Sequence, residues 1–150
     1  MSLKKQFATD KNLETKGIWV DYGDVRIRIA RAGGANKKYT KRLDQLTKPV
    51  RRAIQIGSLQ EERSQIILRT VFAETVVLDW QVKIGEDWKK GIDPEDAGVK
   101  ADGDKLLPVN FENIVKVFTM LPDLFFDLQQ QAQNGMLFQE EINEEAAKNS

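Results

Sequence analysis

Residues 59–80 constrain the fold of this chain more than any other segment, because they contain neither Gly nor Pro. The pattern Ser58-x-x-Glu61 before them is typical of a capping box, in which two side chains satisfy free N–H groups of a first helical turn. The apolar residues that follow spread beyond one stripe: Leu59, Ile66, Ile67, Leu68, Val71, Phe72, Val76, Val77, Leu78 and Trp80. They predict a helix at the centre of the core. The β-branched residues 75–77 leave open that a strand begins there.

A second pattern, with a period of two residues, predicts a β-hairpin at about residues 18–31. Its apolar positions are Ile18, Val20, Tyr22, Val25, Ile27 and Ile29. Gly23-Asp24 suits a type II′ turn, because Gly accepts positive φ at the first central position. In this hairpin Arg26 and Arg28 share a face in solvent.

Capping residues and prolines divide the rest of the chain into further helices. Asn36 and Asn110 precede apolar residues at helical spacing, and each can accept a backbone N–H bond. Pro49 and Pro122 predict that a helix breaks and restarts, because proline fits the first turn but not the helix interior. Gly135 suits the end of the last long helix.

These elements predict one α+β domain at residues 17–143, with an N-terminal β-hairpin packed on a bundle of four to five helices. The 150 residues suit a single domain. Residues 1–16 lack a sustained period and predict a flexible arm, whereas residues 144–150 predict an acidic tail. Residues 85–109 hold four Gly and two Pro and predict a long, mobile loop that is a candidate contact segment.

The chain has no His and no Cys, which removes the usual nucleophiles, bases and soft metal ligands. No apolar run approaches the ~20 residues that span a bilayer, and the first ten residues have no secretory pattern. We therefore expect a cytoplasmic protein that is not an enzyme and has no cofactor, metal or membrane contact. The acids of the 85–109 segment, with Glu74 and Asp79, would suit a metal-dependent hydrolase, but their spacing does not match that of an EF-hand calcium loop.

Charge is divided by position, which favours a binding role. Residues 1–57 carry 14 Lys and Arg against 5 Asp and Glu, and residues 58–150 carry 9 against 18. The basic candidates for partner binding are Arg26, Arg28, Lys37, Lys38, Arg51 and Arg52. Nucleic acid is disfavoured as their partner, because Tyr39 is the only aromatic residue in the densest basic stretch and offers no stacking platform. A solvated face or an acidic protein partner is preferred.

Apolar residues around Pro122 supply a second candidate surface. Leu124, Phe125 and Phe126 are consecutive, so they cannot all face the core of a helix. Together with Phe138 they predict a groove for a protein partner or for a second copy of the chain.

The order of these segments resembles the tail assembly chaperones of long-tailed bacteriophages over roughly residues 15–140. The likeness is carried by residues 32–39, 72–80 and 110–132. Its most specific parts are a helix ending in Asp79-Trp80 and the bend Leu121-Pro122-Asp123-Leu124-Phe125, followed by Asp127, Leu128 and Ala132.

The resemblance implies a non-enzymatic chaperone of virion morphogenesis that acts through protein–protein interaction. In that family the chaperone binds the tape measure protein in the host cytoplasm and is absent from the mature virion. A longer, frameshifted form often recruits tail tube subunits. Such a partner is a long helical chain, so the chaperone needs an apolar groove for amphipathic helices, flanked by charge.

Overall fold

Residues 2–139 are described by a computed structural model. Within them, a four-stranded antiparallel sheet has the order β1-β2-β3-β4. The strands are β1 (Ile18–Asp21), β2 (Val25–Ile29), β3 (Val77–Ile84) and β4 (Asp87–Lys90). The helices are α1 (Leu3–Phe7), α2 (Lys11–Lys16), α3 (Lys37–Thr47), α4 (Arg51–Gln55), α5 (Glu61–Thr75), α6 (Phe111–Met120) and α7 (Pro122–Gln133). Short 3-10 turns lie at Lys48–Val50, Pro94–Ala97 and Gly135–Phe138.

The predicted α+β class and the N-terminal hairpin are confirmed. Val20 pairs with Ile27 across β1 and β2, so their side chains lie on one face of the sheet. Gly23 has a φ of +91°, the positive value that the turn between the strands requires. The next pairing, of Ile27 with Trp80 on β3, extends the same buried face.

The long central helix is shorter than predicted. It ends at Thr75, and residues 77–84 form β3, which pairs with β2. The apolar residues of 59–80 therefore combine a helical pattern with a strand pattern. The β-branched residues 75–77 mark the change, because they restrict side-chain rotamers in a helix and suit a strand. The capping box at Ser58 is also wrong, since α5 begins at Glu61 after Gln60 at the N-cap position.

A connected set of aromatic rings fills the space between the sheet and the helices. The ring of Trp80 lies 6.4 Å from Phe118, and Phe118 stacks on Phe125 at 4.6 Å. Phe125 meets Phe72 edge to face at 5.5 Å, and Phe72 meets Tyr39 in the same way at 5.9 Å. These contacts join β3, α6, α7, α5 and α3 in turn, so Phe125 lies near the middle of the core.

The caps and proline breaks lie where the sequence places them. The side chain of Asn36 accepts a bond from the N–H of Tyr39, and that of Asn110 accepts one from Asn113. Pro49 lies in the 3-10 turn between α3 and α4, and Pro122 is the first residue of α7. These features depend on local backbone chemistry, which explains why sequence patterns predict them.

The 85–109 segment is not one long loop. It contains β4 and the 3-10 turn Pro94–Ala97, and Ile92, which is fully buried, forms a β-bridge with Leu107. The many Gly and acidic residues of this segment led to the prediction of a loop. Its order depends instead on contacts with α6, which is distant in sequence, and on pairing with β3. The predicted acidic tail at 144–150 lies outside the described residues.

Residues 2–16, within the segment predicted to be a flexible arm, contain α1 and α2. Asp10 caps α2 by accepting bonds from the N–H groups of Asn12 and Leu13, and the N–H of Asp10 bonds to the carbonyl of Phe138. Glu14 is only 2% exposed. These tertiary contacts, which no local period can reveal, hold α2 and the residue before it against the domain.

Glu14 is held by several donors. Its carboxylate accepts bonds from the Thr9 hydroxyl and from the N–H of Ala35 at 2.7 Å, and it forms an ion pair with Arg31 at 3.3 Å. Burial raises the pKa of Glu14, but these bonds and the Arg31 charge outweigh it and keep the pKa below the ordinary value of 4.5.

We expect the stability contributed by Glu14 to depend on pH in one direction. Because its folded pKa is lowered, the contribution is fully present above about pH 4.5 and is lost as the pH falls through the folded pKa. Urea unfolding from pH 7 to pH 3 measures this. Glu14→Gln should cost about 1 to 3 kcal/mol at pH 7 and should show a shallower acid loss than the wild type. Equal slopes in both proteins would contradict the assignment.

Candidate protein-binding surfaces

The apolar residues that the sequence assigned to a groove lie in different environments. Phe125 and Phe138 are 2% and 0% exposed, so both belong to the core and cannot line a surface groove. Leu124 is half-buried against the core, whereas Phe126 is 60% exposed. The helical turn of α7 explains the difference, because Phe125 shares its inward face with Leu128 and Ala132. Binding by Phe126 stays a prediction.

An apolar groove does exist, but it lies between α3, α4 and the first half of α5. Its volume is about 310 Å³, and it is lined by Leu43, Thr47, Ile54, Gly57, Leu59, Glu61, Ser64, Ile67 and Leu68. Leu43 and Thr47 are four residues apart on α3, so they occupy one face of that helix. The break at Pro49 turns α4 so that Ile54 faces the same space.

The groove is open because its helices are only partly covered by the domain. Every residue of α3 is exposed or half-buried, although the helix has a clear apolar face. On α4, Ile54 is 45% exposed, and Ile56 just beyond it is 68% exposed. When a partner covers an apolar face that was in contact with water, the free energy of the complex is lowered by roughly 25 cal/mol per Å² of apolar surface buried.

Among the residues that line this groove, Glu61 carries a charge, and other charged side chains lie elsewhere on α3 and α4. Arg51 forms an ion pair with Asp44 at 3.0 Å, which links α4 to α3 across the Pro49 turn. Both side chains are more than half exposed, so the pair adds little stability. Arg52 is exposed and has no ion-pair partner within residues 2–139. α4 therefore carries, outside the groove lining, a positive charge with no ion-pair partner among the described residues.

The other basic candidates lie on separate elements. Lys37 and Lys38 occupy the exposed first turn of α3. Arg26 and Arg28 lie on β2, on the face of the sheet opposite the core. In the sequence these residues form one group of basic candidates for partner binding. The fold separates them, with Lys37 and Lys38 at the start of a helix and Arg26 and Arg28 on the sheet.

The sheet face contains a feature that the sequence did not reveal. The guanidinium carbon of Arg26 lies 4.6 Å from the centre of the Trp19 ring and 4.4 Å from that of Trp88. Its Nε donates a bond of 2.7 Å to Gln81 on β3. Trp88 belongs to the segment predicted as a loop, so only the pairing of β4 with β3 brings the second indole onto this face.

Glu74 and Asp79, the two acids of the central segment considered for a reactive site, each lie beside a cation. Glu74 accepts bonds from Arg42, with 2.6 Å between Nε and Oε2, and Asp79 lies 3.9 Å from the Lys90 amine. In the described part of the chain, no three acidic side chains gather as a cation site requires. Burial raises the pKa of Asp96, and its neighbours Asp93 and Glu95 add to this effect. No helix among residues 2–139 is long and apolar enough to cross a membrane.

Comparison with known proteins identifies one family. A family model described as YdaY prophage protein matches residues 34–149, which is more than half of the chain. The match begins in the loop before α3 and includes the groove, β3, β4 and the aromatic core. Searches of curated proteins and of solved structures give no significant match.

Proposed function

The chain belongs to the YdaY prophage protein family, and from this phage-derived origin we propose that it is a tail assembly chaperone. In this role it binds the tape measure protein during tail morphogenesis and performs no bond-making chemistry. It acts in the host cytoplasm and leaves before the virion is mature. Tail tube subunits and a second copy of the chain are further candidate partners.

The observation that carries this proposal is the open apolar groove between α3, α4 and α5. An amphipathic helix buries side chains at positions i, i+3 or i+4, and i+7 in such a groove. Leu43 and Ile67 supply the apolar walls on the two sides, and Ile54 lies at the α4 end. A tape measure protein is a long helical chain, so its apolar stripe needs this kind of cover before the tail tube encloses it.

Basic residues on α3 and α4 that lie outside the groove lining suit the same partner. Arg52 on α4 and the exposed pair Lys37 and Lys38 at the start of α3 can attract acidic positions on the polar side of a bound helix. Charges of this kind raise the association rate, whereas the apolar floor governs how slowly the complex dissociates. The groove thereby provides affinity, and the basic helices provide steering.

We expect Ile54→Asp to weaken the complex with the tape measure protein by at least about 30-fold, equivalent to about 2 kcal/mol. The substitution places a charge against the apolar side of the bound helix, where it loses its water. Ile54 is already 45% exposed, so the free protein should keep its stability. Co-expression of the two proteins followed by co-purification and titration measures the effect.

Ile84→Asp is the matched control, because Ile84 is 41% exposed and lies at the end of β3 outside the groove. It should bind as the wild type does. A wild-type chain that neither co-purifies with the tape measure protein nor improves its solubility would refute the chaperone role. Equal losses at Ile54 and Ile84 would refute the groove as the binding site.

A further inference from the structure

The face of the sheet opposite the core is accessible and carries an excess of positive charge. Strand alternation and register place on it Trp19, Asp21, Arg26, Arg28, Asp79, Gln81, Lys83, Trp88 and Lys90. Trp19 is 39% exposed, and Lys83 is exposed as well. Four of these side chains are cationic and two are acidic, so the face can attract a polyanion.

Two indole rings are fixed in place on this face before any partner arrives. Arg26 lies between Trp19 and Trp88, and its bond to Gln81 holds the guanidinium over the sheet. Rings that are already ordered lose little entropy when a ligand stacks on them. The arrangement thus provides planar groups, two indoles and one guanidinium, next to cations on neighbouring strands.

The stability that these contacts add to the sheet does not by itself explain why aromatic and basic residues lie together on this face. A cation–π contact at an exposed site contributes about 0.5 to 1 kcal/mol, and the contacts of Arg26 need only the two indoles. Lys83 lies on the same face beside Trp88 in the register and forms no ion pair within residues 2–139. Arg28, which is 5.9 Å from the Trp19 ring centre, adds a further positive charge.

We propose that this sheet face binds single-stranded nucleic acid, with bases stacking at Trp19 and Trp88 and phosphates near Arg28, Lys83 and Lys90. Flat aromatic groups beside cations on an open antiparallel sheet are the groups that unpaired bases and a phosphate backbone require. A duplex keeps its base faces hidden and cannot use the indoles. This activity is separate from the groove and does not depend on the proposed chaperone role.

Tryptophan fluorescence provides the direct test, because Trp80 is 1% exposed and the other two tryptophans lie on the proposed surface. Titration of the full chain with a short oligothymidylate at low salt should quench the emission. The affinity should fall with salt at a log–log slope of about −2 to −3, as expected for three to four phosphate contacts. Trp19→Ala and Trp88→Ala should each weaken binding about 5- to 100-fold.

Lys83→Glu should weaken binding about 5-fold or more without disturbing the rings, which keeps the test valid if a tryptophan variant does not fold. Arg63→Glu on α5 is the matched control and should bind normally, because Arg63 is exposed and lies outside both the sheet face and the groove lining. Absence of quenching at low salt would overturn the proposal, as would equal quenching by duplex DNA. Equal binding of polyglutamate would indicate an acidic protein partner and would overturn it too. Ile54→Asp should keep oligonucleotide binding, so the two proposals can fail independently.

Discussion

Replacing Phe125 with Ala is expected to lower the free energy of unfolding by about 3 to 5 kcal/mol, whereas the same change at Phe126 is expected to cost less than about 0.5 kcal/mol. Phe125 is 2% exposed and contacts the rings of Phe118 and Phe72. Its removal leaves a cavity at the centre of the aromatic core and breaks two ring pairs. Phe126, the next residue on α7, is 60% exposed and leaves no cavity.

Urea unfolding followed by circular dichroism measures both variants under the same conditions. For a domain of this size, a loss of 4 kcal/mol corresponds to a fall in Tm of about 8 to 16 °C. Phe125→Leu fills part of the cavity and provides a smaller, measurable loss if the alanine variant does not fold. Similar losses at the two positions would show that α7 is rotated relative to the core.

Gly34→Ala is expected to cost about 3 to 4 kcal/mol, although it adds a single methyl group. Gly34 has a φ of +54°, so any side chain there carries the strain of the left-handed conformation, about 1 kcal/mol. An added Cβ would also lie 1.7 Å from Oε2 of Glu14. That oxygen is the end of a side chain, but it can withdraw only by giving up its bond to the N–H of Ala35 and its ion pair with Arg31. Losing them adds about 2 to 3 kcal/mol.

Gly103→Ala separates these two contributions. Gly103 has a φ of +58°, close to that of Gly34, but an added Cβ there meets nothing within 4 Å. Its cost should therefore be the conformational strain alone, about 1 kcal/mol. In a double-mutant cycle, Gly34→Ala should cost much less when Glu14 is already Ala, because the clash is gone. Additive losses in that cycle would mean that Glu14 does not limit the space at Gly34.

The sequence predicted the elements that depend on neighbouring residues. The hairpin with its turn at Gly23, the caps at Asn36 and Asn110, and the restart at Pro122 are all present. Each rests on a backbone preference or on a hydrogen bond within about four residues. Such contacts can therefore be predicted from the residue types of neighbouring positions.

The predictions from sequence were wrong where contacts between distant segments determine the secondary structure. β3 is a strand because β2 and β4 supply hydrogen bonds on both of its sides, although its apolar residues also suit a helix. Residues 10–16 are ordered by contacts of Asp10 with Phe138 and of Glu14 with Ala35. The spacing of apolar residues within the segment does not indicate those partners.

For the candidate sites, the sequence determined which side chains are available: no His or Cys, many cations in the first third, and consecutive apolar residues at 124–126 that cannot all face the core. Only the tertiary structure decided which of them meet. It buries Phe125 and Phe138, leaves the Leu43–Ile54–Ile67 groove open, and brings Trp88 beside Arg26 and Trp19. The physical reason is that burial and cross-strand stacking depend on contacts between residues far apart in the chain, whereas caps, turns and periods depend on near neighbours.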